Sequence, residues 1–340
     1  MILINTDKKI NMSEIEKAHI KHFKATIDKK LEDIIKIPRA RNKPLYEYLR
    51  KRLEDILVGK PSVLSEISEE IRVSCRISFS DKTERAKKQK LYTMLLKIFS
   101  YENFVSSYPP KEWGAYQLVS KLKVNVCPYC NRQYTFTVIN DDPAVKGKTR
   151  ARLDHFYDKA TYPYLAVSLY NLIPCCSICN SDFKGSIDFS YKTHLHPYVD
   201  EFGEHFKFGI DMLDKTVLKP GVSKIDYLLG KGEEFEIVIR DTCSDPDIKQ
   251  KVNNNLEVFK IKELYNHHKD YVLDLIKIRI SYSDSQIDEL FRQYSGILFA
   301  SREDVIQMIT SNYVVPEELD KRVLAKLTRD ICEELNLYIK

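Results

Sequence analysis

Two Cys-x-x-Cys pairs constrain the fold of this 340-residue chain more than any other feature of its sequence. The first pair is Cys127 with Cys130, and the second is Cys176 with Cys179. Each pair places two thiolates on one tight turn, and two such turns supply the four soft, tetrahedral ligands that Zn²⁺ prefers. A site closed by four thiolates has no open position. We therefore expect a structural zinc ion whose binding energy stabilises a short module with little core of its own.

The other cysteines leave one ambiguity in this assignment. Cys175 precedes Cys176 directly and is an alternative first ligand of the second pair, although the two-residue spacing to Cys179 favours Cys176. A redox dithiol is the other interpretation of the pairs, but no thioredoxin-like strand and helix pattern surrounds either of them. The scattered cysteines, Cys75, Cys243 and Cys332, are expected to be small buried apolar residues.

The composition and the first residues of the chain indicate in which cellular compartment the protein is expected. No apolar run approaches the roughly 18–20 residues that a membrane-spanning helix needs. The first residues show no charged leader followed by an apolar block, so we expect no secretory signal and a cytoplasmic protein. Stable disulfides are uncommon there. The net charge of +5 is compatible with nucleic-acid binding but does not establish it.

Hydrophobic periodicity predicts an α+β fold that is mostly α-helical, with a small metal-binding module between helical regions. Residues 1–122 form the predicted N-terminal helical region, with helices at 13–36, 45–58, 63–73, 83–99 and 111–122. Residues 123–200 form the module, which is dense in Cys, Pro, Tyr, Asn and His and contains a strand-like run at 133–138. Residues 201–340 are predicted to contain strands at 206–210 and 235–240, followed by helices from residue 249.

Several residues whose side chains could carry chemistry lie between the two cysteine pairs or just after the second pair. Asp154 and His155 are adjacent, Asn171 precedes a leucine, and Asn180 follows Cys179 directly and leads to Lys184. This combination, from Cys127 to Gly185, resembles the zinc-braced HNH endonucleases, whose active site is called the ββα-metal module. The interval from Asn171 to Asn180 agrees with the family's spacing between its central Asn and its last motif position.

The resemblance implies a role for each of these side chains. Asp154 would bind a catalytic metal ion, His155 would be the general base, and Asn171 would hold the loop that orients His155. Asn180 stands where many members have a histidine, and would be the second protein ligand of the metal. Because an amide oxygen is a harder ligand than imidazole, this departure favours Mg²⁺ or Mn²⁺. Lys184, one helical turn later, would face the same way and meet the scissile phosphate.

Elementary chemistry agrees with these roles. Hydrolysis of a phosphodiester needs an activated water molecule, and a neutral histidine with a pKa near 6.5 is suited to take its proton. It also needs a cation where negative charge develops, and a divalent ion provides that charge. The alternative interpretation is that Asp154 and His155 form a surface turn or a satisfied core pair, that Asn171 caps a loop, and that Lys184 is only solvated.

Two further features have open interpretations. His194 and His196 either reach the metal or a phosphate, or pack the end of the module, and we expect packing. Three basic stretches in the helical region, at 39–43, 50–52 and 85–90, either follow a phosphate backbone or form solvated helix faces.

The residues around the motif resemble one branch of the family. The runs 125–131 and 162–171 resemble the HNH subunits encoded beside an ATPase in bacterial anti-phage systems of the Septu and retron-associated kind. The resemblance implies a partner ATPase, for which the helical ends are candidate docking surfaces, since this chain has no P-loop of its own. The expected function is therefore a defence endonuclease acting on nucleic acid, with DNA as the expected substrate. The alternative is a non-catalytic zinc module that binds nucleic acid or scaffolds a complex.

Overall fold

The described part of the chain is a mostly helical α+β structure with two small two-stranded sheets. The computed structural model describes residues 1–4, 10–106, 113–139, 147–212 and 235–338. These form two compact units. The motif unit comprises Lys8–Val124 and Thr135–Val199, and the terminal unit comprises Met1–Asp7, Asn125–Tyr134 and Asp200–Lys340.

The helices of the motif unit follow the predicted pattern with two interruptions. They are α1 (Met12–Ile35), α2 (Lys43–Lys51), α3 (Leu53–Val58), α4 (Pro61–Ser74), α5 (Lys82–Lys87), α6 (Gln89–Ile98), α7 (Tyr101–Ser106) and α8 (Ala115–Leu122). The predicted helix 45–58 is divided at Arg52 and the predicted helix 83–99 at Lys88, because both residues leave the helical region of backbone conformation. Helix α7 was not predicted. Residues 111 and 112 of the predicted helix 111–122 lie outside the described residues.

Helix α1 shows how its sequence produces its packing. Its buried side chains include Ile15, Phe23, Ile27 and Leu31, which share one face at helical spacing. The N-cap is Asn11, whose side-chain oxygen accepts a hydrogen bond from the Glu14 backbone N–H at 3.2 Å.

The motif unit contains a short antiparallel hairpin followed by a helix. Strand β1 (Arg152–His155) pairs with strand β2 (Leu172–Cys175), with Asp154 opposite Ile173 and His155 opposite Leu172. A π-helix (Ile178–Lys184) follows β2 almost at once. The Gly185 N–H donates to the Asn180 carbonyl five residues earlier, at 3.1 Å, which is the defining bond of a π-turn.

The strand-like run at 133–138 departs from the prediction. Among the residues that the structure describes, it pairs only through the single bridges Val126–Tyr134 and Val138–Thr149. Alternation of apolar residues alone did not supply a partner strand for this run.

The terminal unit contains the second sheet and the remaining helices. Strands β3 (Phe206–Met212) and β4 (Phe235–Asp241) pair antiparallel and confirm the two predicted strands. The helices are α9 (Pro246–Val258), α10 (Ile261–Tyr265), α11 (Lys269–Ser281), α12 (Asp284–Tyr294), α13 (Arg302–Thr310) and α14 (Ala325–Glu334). Helix α14 covers the edge of β3, whose Phe208 and Ile210 N–H groups donate to carboxylates of Asp330 and Glu334. In the described ranges, every helix is too short or too polar to cross a bilayer.

Candidate functional site

Four buried cysteines converge at one point. The Sγ atoms of Cys127, Cys130, Cys176 and Cys179 all lie within 4.8 Å of one another. In a tetrahedral site with Zn–S bonds of about 2.3 Å, the sulfur atoms are roughly 3.8 Å apart. The cluster therefore needs only a small contraction to close around a metal ion. These four cysteines could hold a zinc ion, and they are the four that the Cys-x-x-Cys spacing predicted.

The backbone around each pair is shaped to present thiolates. Asn131, directly after the first pair, adopts a left-handed conformation with φ of 49°. Its N–H donates to the Cys127 carbonyl at 2.8 Å, which closes the turn. In the second pair, the Cys179 N–H points at the Cys176 sulfur at 3.4 Å, a contact that favours a thiolate. Both turns are thus folded by local hydrogen bonds.

Cys175 is not part of the cluster. It is the last residue of β2 and pairs with Arg152 of β1, so its side chain belongs to the hairpin. Burial raises the pKa of the Cys175 thiol well above its ordinary value, and the nearby Asp154 carboxylate acts in the same direction. A thiol in that environment stays protonated and is a poor metal ligand. The structure therefore resolves the sequence ambiguity in favour of Cys176.

Asp154 and Lys184 form a buried ion pair between β1 and the π-helix. The Lys184 Nζ lies 3.1 Å from Asp154 Oδ1, and the two side chains are 1% and 4% exposed. The same ammonium donates to the His155 carbonyl at 2.6 Å and lies 5.0 Å from the centre of the Phe189 ring. Lys184 thus holds both the carboxylate of Asp154 and the backbone of its neighbour.

His155 is held in one orientation by a backbone acceptor. Its Nε2 lies 2.9 Å from the Ala166 carbonyl oxygen. Because a carbonyl can only accept, the neutral ring carries its proton on Nε2, which leaves Nδ1 as the basic nitrogen. Desolvation lowers the pKa of His155 to about 3, and the charges of Lys159 and Lys184 add to this effect. The ring is therefore neutral across the physiological range, as a general base must be, but at this pKa it is a weaker proton acceptor than the histidine with a pKa near 6.5 on which the expectation was based.

Asn171 fastens the loop that follows β1. Its buried side-chain oxygen accepts from the Tyr157 N–H at 2.6 Å. Its amide nitrogen donates to the carbonyls of Tyr157 and Leu165, at 3.1 and 3.0 Å. Leu165 directly precedes Ala166, so Asn171 fixes the segment that supplies the acceptor of His155. This is the kind of contact expected of a residue that orients the loop.

Asn180 lies in the π-helix and is partly exposed. Its side-chain nitrogen donates to the Ser181 hydroxyl at 3.1 Å. The side-chain oxygen of an asparagine is a hard ligand by its chemistry. The carboxylate of Asp154 and the amide of Asn180 have the chemistry that Mg²⁺ or Mn²⁺ prefers. The donor set thus fits a hard divalent ion, which would need water or phosphate oxygens as its remaining ligands.

The two downstream histidines pack against aromatic rings. The His194 ring stacks on Phe189 with centroids 3.6 Å apart, and the His196 ring lies 4.2 Å from that of Phe156. Desolvation lowers the pKa of His194 to about 4 and that of His196 to about 3. Both side chains therefore belong to the aromatic core around the hairpin.

Acidic neighbours balance two of the three basic stretches. Arg50 forms an ion pair with Asp28 at 2.8 Å, and Lys87 and Lys88 both pair with Glu84. These contacts favour solvated helix faces over a continuous phosphate-binding track at those two stretches.

Two contributors to the site carry no motif signal. One is the Ala166 carbonyl, a backbone group that any residue type supplies. The other is Tyr101 of helix α7, whose ring meets the His155 ring edge-on with centroids 4.4 Å apart. Finding either from the sequence would have required the tertiary packing of the helical region against β1.

Comparison with known proteins gives two partial similarities. Septu protein PtuB of Bacillus thuringiensis is 36% identical over 72 residues, which is 19% of this chain and 28% of that protein. Protein ea31 of Escherichia phage lambda is 39% identical over 57 residues, which is 16% of this chain and 19% of that protein. The matches thus span less than a third of either relative. No family model matches the chain, and no solved structure matches it.

Proposed function

We propose that the motif unit is a metal-dependent endonuclease of the HNH type, built on the hairpin β1–β2 and the π-helix. The observation that carries the proposal is the anchoring of His155. Its Nε2 proton is committed to the Ala166 carbonyl, and Asn171 fastens the segment that holds this carbonyl. A neutral imidazole held in this tautomer keeps its other ring nitrogen, Nδ1, as a proton acceptor.

The proposed reaction is hydrolysis of a phosphodiester. His155 Nδ1 takes the proton of a water molecule, whose oxygen forms the new bond to phosphorus as the bond to the 3′ oxygen breaks. Asp154 and Asn180 are the proposed ligands of one Mg²⁺ or Mn²⁺ ion, which supplies positive charge where the phosphate and leaving oxygens become negative. Few protein ligands imply weak metal binding until substrate arrives.

The Lys184 ammonium is buried, whereas a contact with the scissile phosphate requires an accessible ammonium. In the pair with Asp154 its ammonium is buried, so the predicted contact with the scissile phosphate needs Lys184 to leave this pair. We propose that its first role is to orient the Asp154 carboxylate through this buried ion pair when no divalent ion is bound.

The similarity to a Septu protein supports the wider proposal. We infer that the chain acts in anti-phage defence on nucleic acid, with DNA as the expected substrate, and that a partner ATPase controls it. The similarity covers a limited segment, so substrate and partner rest on the resemblance.

The test is cleavage by the zinc-loaded protein, with and without Mg²⁺ or Mn²⁺, of supercoiled plasmid, single-stranded DNA and RNA. His155→Ala should abolish metal-dependent cleavage without loss of zinc. The matched control is His205→Ala, which removes an exposed histidine of the terminal unit and should cleave like the wild type. Equal cleavage by the His155→Ala variant would refute the base assignment. Absence of cleavage, even with a co-expressed ATPase, would instead favour the non-catalytic zinc module.

A further inference from the structure

Tyr101, the first residue of helix α7, contacts strand β1. The Tyr101 ring meets the His155 ring edge-on, with centroids 4.4 Å apart and planes at 70°. The Tyr101 hydroxyl donates to the Leu153 carbonyl at 3.4 Å. Because Leu153 and His155 flank Asp154 in the strand, Tyr101 touches the backbone before the carboxylate and the ring after it.

An ion pair lies next to Tyr101. Lys159, in the turn after β1, lies 2.9 Å from the carboxylate of Glu102, the residue next to Tyr101. The Lys159 ammonium also lies 5.1 Å from the centre of the Tyr101 ring, in range of a cation–π contact. The Lys159 side chain is partly exposed and the Glu102 side chain is exposed, so their pair contributes modestly and the ring contact is the main link.

The hydrogen bond from His155 to Ala166 fixes one atom of the ring. This bond alone does not prevent the ring from rotating about that contact. The Tyr101 edge occupies one side of the ring and restricts this rotation. Reacting groups must be held to within about 0.5 Å and 10–20° of productive geometry, and a 1 Å misplacement costs roughly a hundredfold in rate. A second contact on the ring therefore has a catalytic consequence.

We propose that Tyr101 is a positioning residue for His155, linked to β1 by its ring contact with His155 and its hydrogen bond to Leu153, with a modest addition from the Lys159–Glu102 pair. The inference rests on the proposed function, in which His155 is the base. It assigns part of the helical region to the active site, since α7 and β1 belong to the same compact unit.

The kinetic test compares two substitutions at this position. Tyr101→Phe keeps the ring edge and should cleave within about threefold of the wild type. Tyr101→Leu removes the edge and should lower kcat by roughly 10–100-fold with KM nearly unchanged. The matched control is Tyr92→Leu, which removes a tyrosine that packs on Phe79 in the same unit and should leave kcat unchanged. Equal kcat for Tyr101→Leu and the wild type would overturn the proposal.

A second measurement does not depend on activity. In zinc-loaded protein labelled with ¹⁵N-histidine, the His155 signals are assigned by their loss in His155→Ala. We expect wild type and Tyr101→Phe to show one tautomer, protonated at Nε2, and Tyr101→Leu to show averaged ring shifts. Unchanged shifts in Tyr101→Leu would overturn the positioning role. If no form of the protein cleaves nucleic acid but the shifts change as expected, the positioning role stands and the nuclease proposal fails.

Discussion

Replacing Lys184 by methionine is expected to destabilise the motif unit strongly, because it removes the ammonium from a buried carboxylate. The Asp154 side chain is 4% exposed and the Lys184 side chain 1% exposed, so solvent cannot replace the lost charge. Removing one partner of such a buried pair costs about 3–5 kcal/mol. With a urea dependence of about 2 kcal/mol per molar, the unfolding midpoint should fall by roughly 2 M.

The assay follows urea unfolding by fluorescence of the zinc-loaded protein without added Mg²⁺ or Mn²⁺. Trp113 is the single tryptophan of the chain and lies in the motif unit, so its emission reports unfolding of the unit that contains the pair. A local probe is needed because a chain of two compact units need not unfold in one step.

The matched control is Lys87→Met, in the same unit. Lys87 lies 3.1 Å from Glu84, the same separation as in the buried pair, but its side chain is 65% exposed. Such a surface pair contributes little to stability, because solvent screens its charges. Adding Asp154→Asn to Lys184→Met should recover part of the loss, because the buried negative charge is then gone. A loss in Lys184→Met no larger than in Lys87→Met would refute the reasoning.

Three further predictions concern buried groups of the site and its surroundings. Burial lowers the pKa of His19 to about 4, so the unfolded chain binds a proton that the folded chain excludes. Stability should therefore fall as pH drops from about 6.5 to 4, by up to about 1.4 kcal/mol per pH unit from this residue. His19→Gln should reduce the slope by the share of this residue, with the shares of His155, His194 and His196 remaining, in urea titrations read by circular dichroism, and an unchanged slope would contradict the assignment. Asn171→Ala should lower the free energy of unfolding by about 1–3 kcal/mol, since it breaks three buried hydrogen bonds; thermal denaturation checks this, and a wild-type midpoint would count against it. Cys176→Ser should reduce bound zinc in metal analysis while Cys175→Ser retains it, and the reverse result would reassign the ligand.

The features predicted from the sequence are those that short stretches of chain encode. The two Cys-x-x-Cys turns fold through contacts within a few residues, so their spacing predicted the cluster that the structure contains. The apolar periodicity of α1 predicted its buried face, and the β-rich runs predicted β3 and β4. In each case the residue pattern lies in the same short stretch of chain that forms the turn, helix or strand.

The features that were missed depend on tertiary packing. A lysine at the end of a helix is usually solvated, and nothing in the sequence around Lys184 indicates that its ammonium is buried against Asp154. The π-turn that precedes it leaves no distinct residue pattern. Tyr101 is distant from His155 along the chain, and its contact exists only because α7 packs on β1. The Ala166 carbonyl is a backbone atom, whose position no residue type specifies.

The measurement that tests the central claim most directly is the Mn²⁺ dependence of cleavage by the wild type, Asp154→Asn and His155→Ala, all loaded equally with zinc. The proposed roles predict that Asp154→Asn requires far more Mn²⁺ for half-maximal cleavage. They predict that His155→Ala keeps the wild-type Mn²⁺ requirement but cleaves at least about a hundredfold more slowly at saturation. Wild-type cleavage by the His155→Ala variant, or an unchanged Mn²⁺ requirement in the Asp154→Asn variant, would contradict a nuclease in which Asp154 binds the metal and His155 takes the proton.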